Sequence, residues 1–281
     1  MSPRQQRPGR PGRGGGAGSE LDLALTFLAG LDEAVAGEVV DLGWGTGVFD
    51  RDRPVVWDAN YVRVGAGSKL TAGELAEEVE PRFVERNLLH RMLVFFDSAP
   101  DQRLVSGFGE LGWEAAHETV MAWRGPVASP AQPVEEISVS GYEEAKRDFE
   151  LAEPPGGADP AIAPALVDQL ASRDALIREV AAERRFAVVV DQRAVSACVL
   201  YSGQGIGQVE SVTTEPEHRN RGYGRAIVQA AVAASVERGD RLTFLIALID
   251  DWPRQMYRRM GFEPLGTVHR FRLAPPPLLV E

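Results

Sequence analysis

An apolar stretch at Gln208–Thr214 runs into Arg219-Asn220-Arg221-Gly222-Tyr223-Gly224, and that turn opens an alanine-rich segment ended by Gly239. Strand, donor-rich turn and helix N-terminus in that order require a fold in which a helix starts beside the end of a sheet strand. The first amides of a helix have no partner inside it and sit at its positive dipole end, so they bind phosphate well. Glycine lets a ligand approach the backbone, and Arg219, Arg221 and Arg225 add charge on the same turn. A pyrophosphate-bearing cofactor is the expected ligand.

A chain of 281 residues exceeds the usual size of one domain, so two are expected. The net charge of −11 argues against general nucleic-acid binding. Residues 1–19 hold Arg4, Arg7, Arg10 and Arg13 and no acid, which leaves −15 on the rest of a chain whose total is −11. Rich in Gly, Pro and Arg, this tail is expected to be disordered. It lacks the apolar centre of a secretory signal, and no apolar run approaches the roughly 20 residues that span a bilayer. Neither nucleic acid nor membrane is an expected partner, and the cytoplasm is the expected compartment. Cys198 is the single cysteine, which excludes an internal disulfide and a cysteine-based zinc site, so no metal is expected.

Proline and glycine concentrate at 125–133, which reads as a linker (126–133) between a first domain at 20–125 and a second at 134–281. In the second, the pattern predicts a strand at Glu136–Ser140, helices at Tyr142–Leu151 and Ala165–Glu183, and a hairpin of Phe186–Val190 with Val195–Tyr201 around Asp191-Gln192-Arg193. Gln208–Thr214 is the next strand, Gly224–Glu237 a helix and Leu242–Leu248 a buried strand. Asp251-Trp252-Pro253 starts a short helix reaching Met260, with Asp250 and Asp251 as capping acids, and Val268–Leu273 closes the domain. The first domain repeats the end of this plan. Gly112-Trp113-Glu114 and Thr119-Val120 parallel Gly261-Phe262-Glu263 and Thr267-Val268 about 148 residues later, a spacing that points to a duplicated domain. Tyr61–Val64, Ala72–Asn87 and Met92–Phe96 would be a strand, a helix and a strand of the first copy.

Gln208–Phe262 resembles the GCN5-related N-acetyltransferases, whose pattern Arg/Gln-x-x-Gly-x-Gly/Ala is matched by Arg219, Gly222 and Gly224. Their later signature, a tyrosine with three residues before Gly-Phe, is matched by Tyr257 and Gly261-Phe262. The resemblance implies an α/β fold: a mixed sheet flanked by helices and splayed between its fourth and fifth strands, here in two tandem copies. It implies acetyl-CoA as co-substrate, with the backbone of Val212, Thr213 and Thr214 along the pantetheine. Amides of Arg219, Asn220, Arg221, Gly222, Tyr223, Gly224 and Arg225 would hold the pyrophosphate. Where the family often has Asn, this chain has Asp250, whose carboxylate accepts but does not donate hydrogen bonds.

Acyl transfer to an amine needs a neutral amine, a stabilised carbonyl oxygen and a protonated leaving thiolate. Tyr257 is the expected acid for the thiolate, Glu210 the candidate base for the amine, and the Val212 N–H the expected oxyanion donor. The expected acceptor is a small-molecule or peptide primary amine. Its walls would come from Glu153–Pro164, Leu265–His269 and the first domain, and a homodimer is left open. His218 receives no role, and Cys198 reads as a core thiol. A second reading keeps the fold as a non-catalytic acyl-CoA sensor or scaffold. A third comes from Val39–Gly47, which is similar to the first glycine-rich motif of S-adenosylmethionine-dependent methyltransferases, with Asp58 as the ribose acid. The residues after it offer no helix, as that motif requires. The first copy looks degenerate: Phe108 stands where Tyr257 stands in the second, and Gly65–Thr71 lacks the arginine-glycine order.

Overall fold

A computed structural model of the chain describes residues 17–96 and 100–275. The tail expected at 1–19 therefore lies outside the described residues up to position 16. From there Ala17–Val35 forms α1, a helix absent from the sequence reading. The first half continues with the hairpin β1 (Glu38–Asp41) and β2 (Gly45–Phe49), then β3 (Tyr61–Val64), α2 (Ala72–Val84), β4 (Arg91–Phe95), α3 (Gln102–Glu110) and β5 (Glu114–Trp123). An irregular stretch leads to the second half: β6 (Glu135–Glu136), α4 (Val139–Ala152), α5 (Ala163–Val180), β7 (Ala182–Val190), β8 (Arg193–Gly203) and β9 (Ile206–Thr214). It ends with α6 (Tyr223–Arg238), β10 (Leu242–Leu248), α7 (Pro253–Arg259) and β11 (Phe262–Leu273).

Local chemistry explains most boundaries. Asp191 and Gln192 both have positive φ (49° and 64°), so the β7–β8 hairpin closes in a two-residue turn. Ser138 accepts the Gly141 amide at 3.1 Å and starts α4 at Val139, which cuts the strand expected over Glu136–Ser140 to Glu135–Glu136. The short helix α7 is capped differently from expectation. Its N-cap is Trp252, and Asp251 accepts only the adjacent Trp252 amide at 2.7 Å.

Val39–Gly47 is not a strand–loop–helix. β1 and β2 pair antiparallel through Val40↔Gly47, and the Asp41 carboxylate accepts the Gly43 amide at 2.8 Å in the turn. Asp58, the supposed ribose acid, is bound to Arg270 at 2.7 Å. A glycine motif inside a β-hairpin presents no helix N-terminus to a ligand, so the methyltransferase reading fails.

Among the described residues, all eleven strands join one mixed sheet in the order β1-β2-β3-β4-β11-β5-β10-β9-β8-β7-β6. Only β3–β4 and β9–β10 pair parallel; the other pairs are antiparallel. The centre of the sheet is an exchange. The last strand of the second half, β11, lies between β4 and β5 of the first, and β5 lies between β11 and β10 of the second. Their side chains follow. Phe271 of β11 is fully buried against Phe108 and Phe95, at ring distances of 4.5 and 5.7 Å, inside the first-half core. Met121 of β5 is fully buried in the core beneath α6. Burying such a side chain contributes on the order of 1.5–3 kcal/mol, so each half is stabilised by a strand that the other supplies.

Candidate functional site

β9 and β10 begin as a parallel pair, Ile206–Gln208 opposite Leu242–Phe244, and then part. The cause lies on the other side of β9. Its register with β8 slips between Val199↔Glu210 and Ala197↔Thr213, so Ser211 and Val212 face Cys198 alone. Ser211 has φ 53°, and such a bulge bends its strand away from a neighbour. The opening is a cleft of about 210 Å³ lined by Glu210, Ser211, Val212, Leu245, Ala247 and Tyr257 among others.

Ser211, Val212, Thr213 and Tyr257 also line a second, larger cavity of about 950 Å³, so cleft and cavity meet at these residues. Thr214 and all seven residues Arg219–Arg225 line the cavity too. Here Gly222 has φ 82° and serves as the N-cap of α6, a left-handed conformation that costs other residues roughly 1–2 kcal/mol. Having no side chain, it leaves the amides at the start of the helix uncovered; the first intrahelical bond is Ala226 N–H to Gly222 O at 3.0 Å. The buried face of α6 combines the small Ala226, Ala231 and Ala234 with Ile227, Val228 and Val232.

The arginines differ in availability. Arg219 donates to the Thr214 carbonyl at 3.1 Å and is ion-paired with Glu153 at the end of α4. Arg221 donates to the Glu217 carbonyl at 3.1 Å, and Arg225 makes no ion pair among the described residues. Asp250 is exposed and lines neither the cavity nor the cleft; its neighbour Asp251 lines both.

Glu210 and Tyr257 face each other electrostatically across the cleft. Tyr257 is 6% exposed, and burial first, then the Glu210 charge, holds its phenol well above the ordinary range. Glu210 accepts from Gln208 Nε2 at 2.7 Å and from the Ser211 amide at 3.2 Å, without a cationic partner among the described residues. Burial raises its pKa, opposed by those two hydrogen bonds, while Glu118 and Asp58 raise it further. A protonated phenol and an unpaired carboxylate with raised pKa on one cleft make a proton donor and a proton acceptor.

Comparison with known proteins bears on the fold. Residues 175–271 match the family model described as FR47-like protein. A GCN5-related N-acetyltransferase from Kribbella flavida superposes with a TM-score of 0.62 at 19% identity, covering 92% of this chain and 97% of that one. The chain has the fold of the GCN5-related N-acetyltransferases. A tandem GNAT protein from the clavulanic acid biosynthesis pathway is similar with a TM-score of 0.56 at 15% identity, over 93% and 95% of the two chains. A functionally unknown conserved protein from Staphylococcus epidermidis gives a TM-score of 0.67 at 14% identity, over 86% and 95%. No curated protein matches the sequence.

In this fold the two halves differ at the points that form the second-half cavity. β3 and β4 stay paired to the end of β3, Val64↔Phe95, so no cleft opens there. At the start of α2 the Thr71 side chain accepts the Glu74 amide, and the Glu74 carboxylate accepts the Thr71 amide at 2.8 Å. A carboxylate of the chain itself thus sits where the second half offers free amides. Phe108 is fully buried in the core. A void of about 120 Å³ lies beside Val64, Gly65, Ser68 and Leu104.

Sequence reasoning gave no site role to Ser211, Asp251 or Tyr142, which line the second-half cavity. Ser211 carries no local signal, because a bulge is set by the partner strand. Asp251 was read as a cap. Tyr142 sits in the stripe Tyr142, Ala145, Phe149, whose helical spacing reads as core.

Proposed function

We propose that this protein transfers an acetyl group from acetyl-CoA to a primary amine, with the chemistry confined to the second half. The observation that carries the reading is that the opening between β9 and β10 brings Glu210 and Tyr257 to one cleft, continuous with a cavity that ends on the N-terminus of α6. The residues present fit acetyl-CoA. The left-handed Gly222, the uncovered amides of Tyr223, Gly224 and Arg225 and the unpaired Arg225 suit a pyrophosphate. The backbone of Val212–Thr214, beyond the last β9–β10 pair, suits the amide-bearing pantetheine arm.

In this mechanism the amine nitrogen attacks the thioester carbonyl carbon, the C–S bond breaks, and the electron pair leaves on sulfur. The Val212 amide stabilises the developing oxyanion. Glu210 takes the proton released by the amine, directly or through water, and Tyr257 gives one to the thiolate. The proton gained by Glu210 and the one lost by Tyr257 re-equilibrate through solvent, which closes the cycle. The acceptor enters from the Glu210 side of the sheet, where Asp32, Asp58, Glu118 and Glu210 stand against Arg173 and Arg270. That imbalance favours a cationic amine.

Calorimetric titration with acetyl-CoA, followed by a panel of amines read by release of free thiol, tests this function. Binding together with thiol release dependent on an amine supports it. Absence of any acetyl-CoA binding overturns it, and binding without release across the panel favours the sensor reading.

A further inference from the structure

One polar group on the cavity wall has no use in the mechanism above. Tyr142 is in the first turns of α4, packed with Ala145 and Phe149 against the sheet and 4% exposed; among the described residues its hydroxyl makes no hydrogen bond of normal geometry, with the Ser211 side chain beside it. A buried hydroxyl without a partner is destabilising, and a phenylalanine would fill the same volume without that cost. Tyr142 lines the 950 Å³ cavity together with Ser211, Val212 and Tyr257, so the hydroxyl is next to the bulge where β9 leaves β10. Burial above all, and then the charges of Tyr201 and Asp174, outweigh the neighbouring Ser211 hydroxyl and keep the phenol protonated and therefore a donor.

Among the parts of an acyl-CoA that extend to the bulge, the thioester carbonyl oxygen is the acceptor that free CoA lacks. An oxygen held by the Val212 amide alone retains a second lone pair, and it gains negative charge as the amine adds. We infer that the Tyr142 hydroxyl is the second donor to the acyl carbonyl, which makes it a specificity residue for acyl-CoA over CoA. The inference rests on the acetyl-CoA reading. It accounts for a tyrosine at a position whose helical spacing asks only for an apolar side chain.

The test compares Tyr142→Phe with the unmodified protein in titrations with acetyl-CoA and with CoA, which need no acceptor. The variant should lose about tenfold in affinity for acetyl-CoA, the size of one hydrogen bond to a neutral acceptor. Its affinity for CoA should stay within about twofold. Its melting temperature should be unchanged or higher, because the hydroxyl makes no hydrogen bond of normal geometry inside the protein. Equal losses for both ligands would place the hydroxyl on the shared pantetheine and overturn the inference, as would no loss for either. If the unmodified protein binds neither ligand, the acetyl-CoA reading and this inference fall together. If it binds both and the variant matches it, the inference alone falls.

Discussion

Thr119 and Thr267, equivalent in the internal repeat, pair directly with each other across β5 and β11, and the Thr119 hydroxyl donates to the Gly266 carbonyl at 3.3 Å. The two similar stretches therefore meet at the point where their sequences correspond. Each half gives its last strand to the other. The linker joins two chain segments whose cores are completed reciprocally.

Residues 126–281 alone should not form a native monomer. Without β5, both β10 and β11 present open edges, and such edges seek a partner. Size-exclusion chromatography should find aggregate or a strand-exchanged dimer. A monomer with native-like circular dichroism would show that the second half needs no donated strand.

Phe271→Ala should destabilise the whole protein by about 3–5 kcal/mol, the usual cost of removing a buried aromatic ring. Although Phe271 belongs to the second half, the loss falls in the core around Phe95 and Phe108. Urea unfolding should shift in a single transition followed equally by tryptophans of both halves. Two separated transitions would mean that the exchange does not couple the halves.

Tyr257→Phe should lower turnover by on the order of 10²-fold, the lower end for loss of a general acid, while acetyl-CoA affinity changes less than about threefold. The ring remains packed against Phe262, so melting temperature should barely move. Steady-state kinetics with a responsive amine decides it; unaltered turnover would remove Tyr257 from the chemistry.

Glu210→Gln should reduce turnover and raise stability. The folded-state pKa of Glu210 is raised by burial, so this carboxyl contributes stability in its protonated form, below the ordinary carboxylate range, and that stability is lost as pH rises through the folded value. Glutamine is neutral throughout. The variant should therefore melt higher than the parent at neutral pH, with the difference shrinking below about pH 4. A difference that grows on acidification would contradict this electrostatic account.

Glu153→Ala should tighten acetyl-CoA binding, most visibly at low salt. The Arg219–Glu153 pair spans the cavity mouth, so removing the carboxylate frees the guanidinium for phosphate. An exposed pair of this kind is worth little by itself, so stability should change by less than about 1 kcal/mol. Titrations at two ionic strengths would read the gain as a few-fold change that fades with salt. A loss of affinity would show that Glu153 instead helps to orient Arg219.

The sequence by itself determined the local order of the second half. Leu242–Leu248 is the strand expected residue for residue, Gly239 ends α6 with φ 84°, and Asp191-Gln192 makes the hairpin turn. Such features are set within a few residues by periodicity and by backbone conformations that few side chains tolerate. The glycine turn and its tyrosine were legible for the same reason, as a local pattern that resembles a known family. Only the tertiary structure decided that β11 inserts between β4 and β5, because strands about 150 residues apart are matched by the total burial they achieve and leave no mark in either strand alone. It also decided the bulge at Ser211 and the place of Tyr142, whose helical spacing is that of an ordinary core residue. Its unpartnered hydroxyl becomes visible only once the sheet has opened beside it.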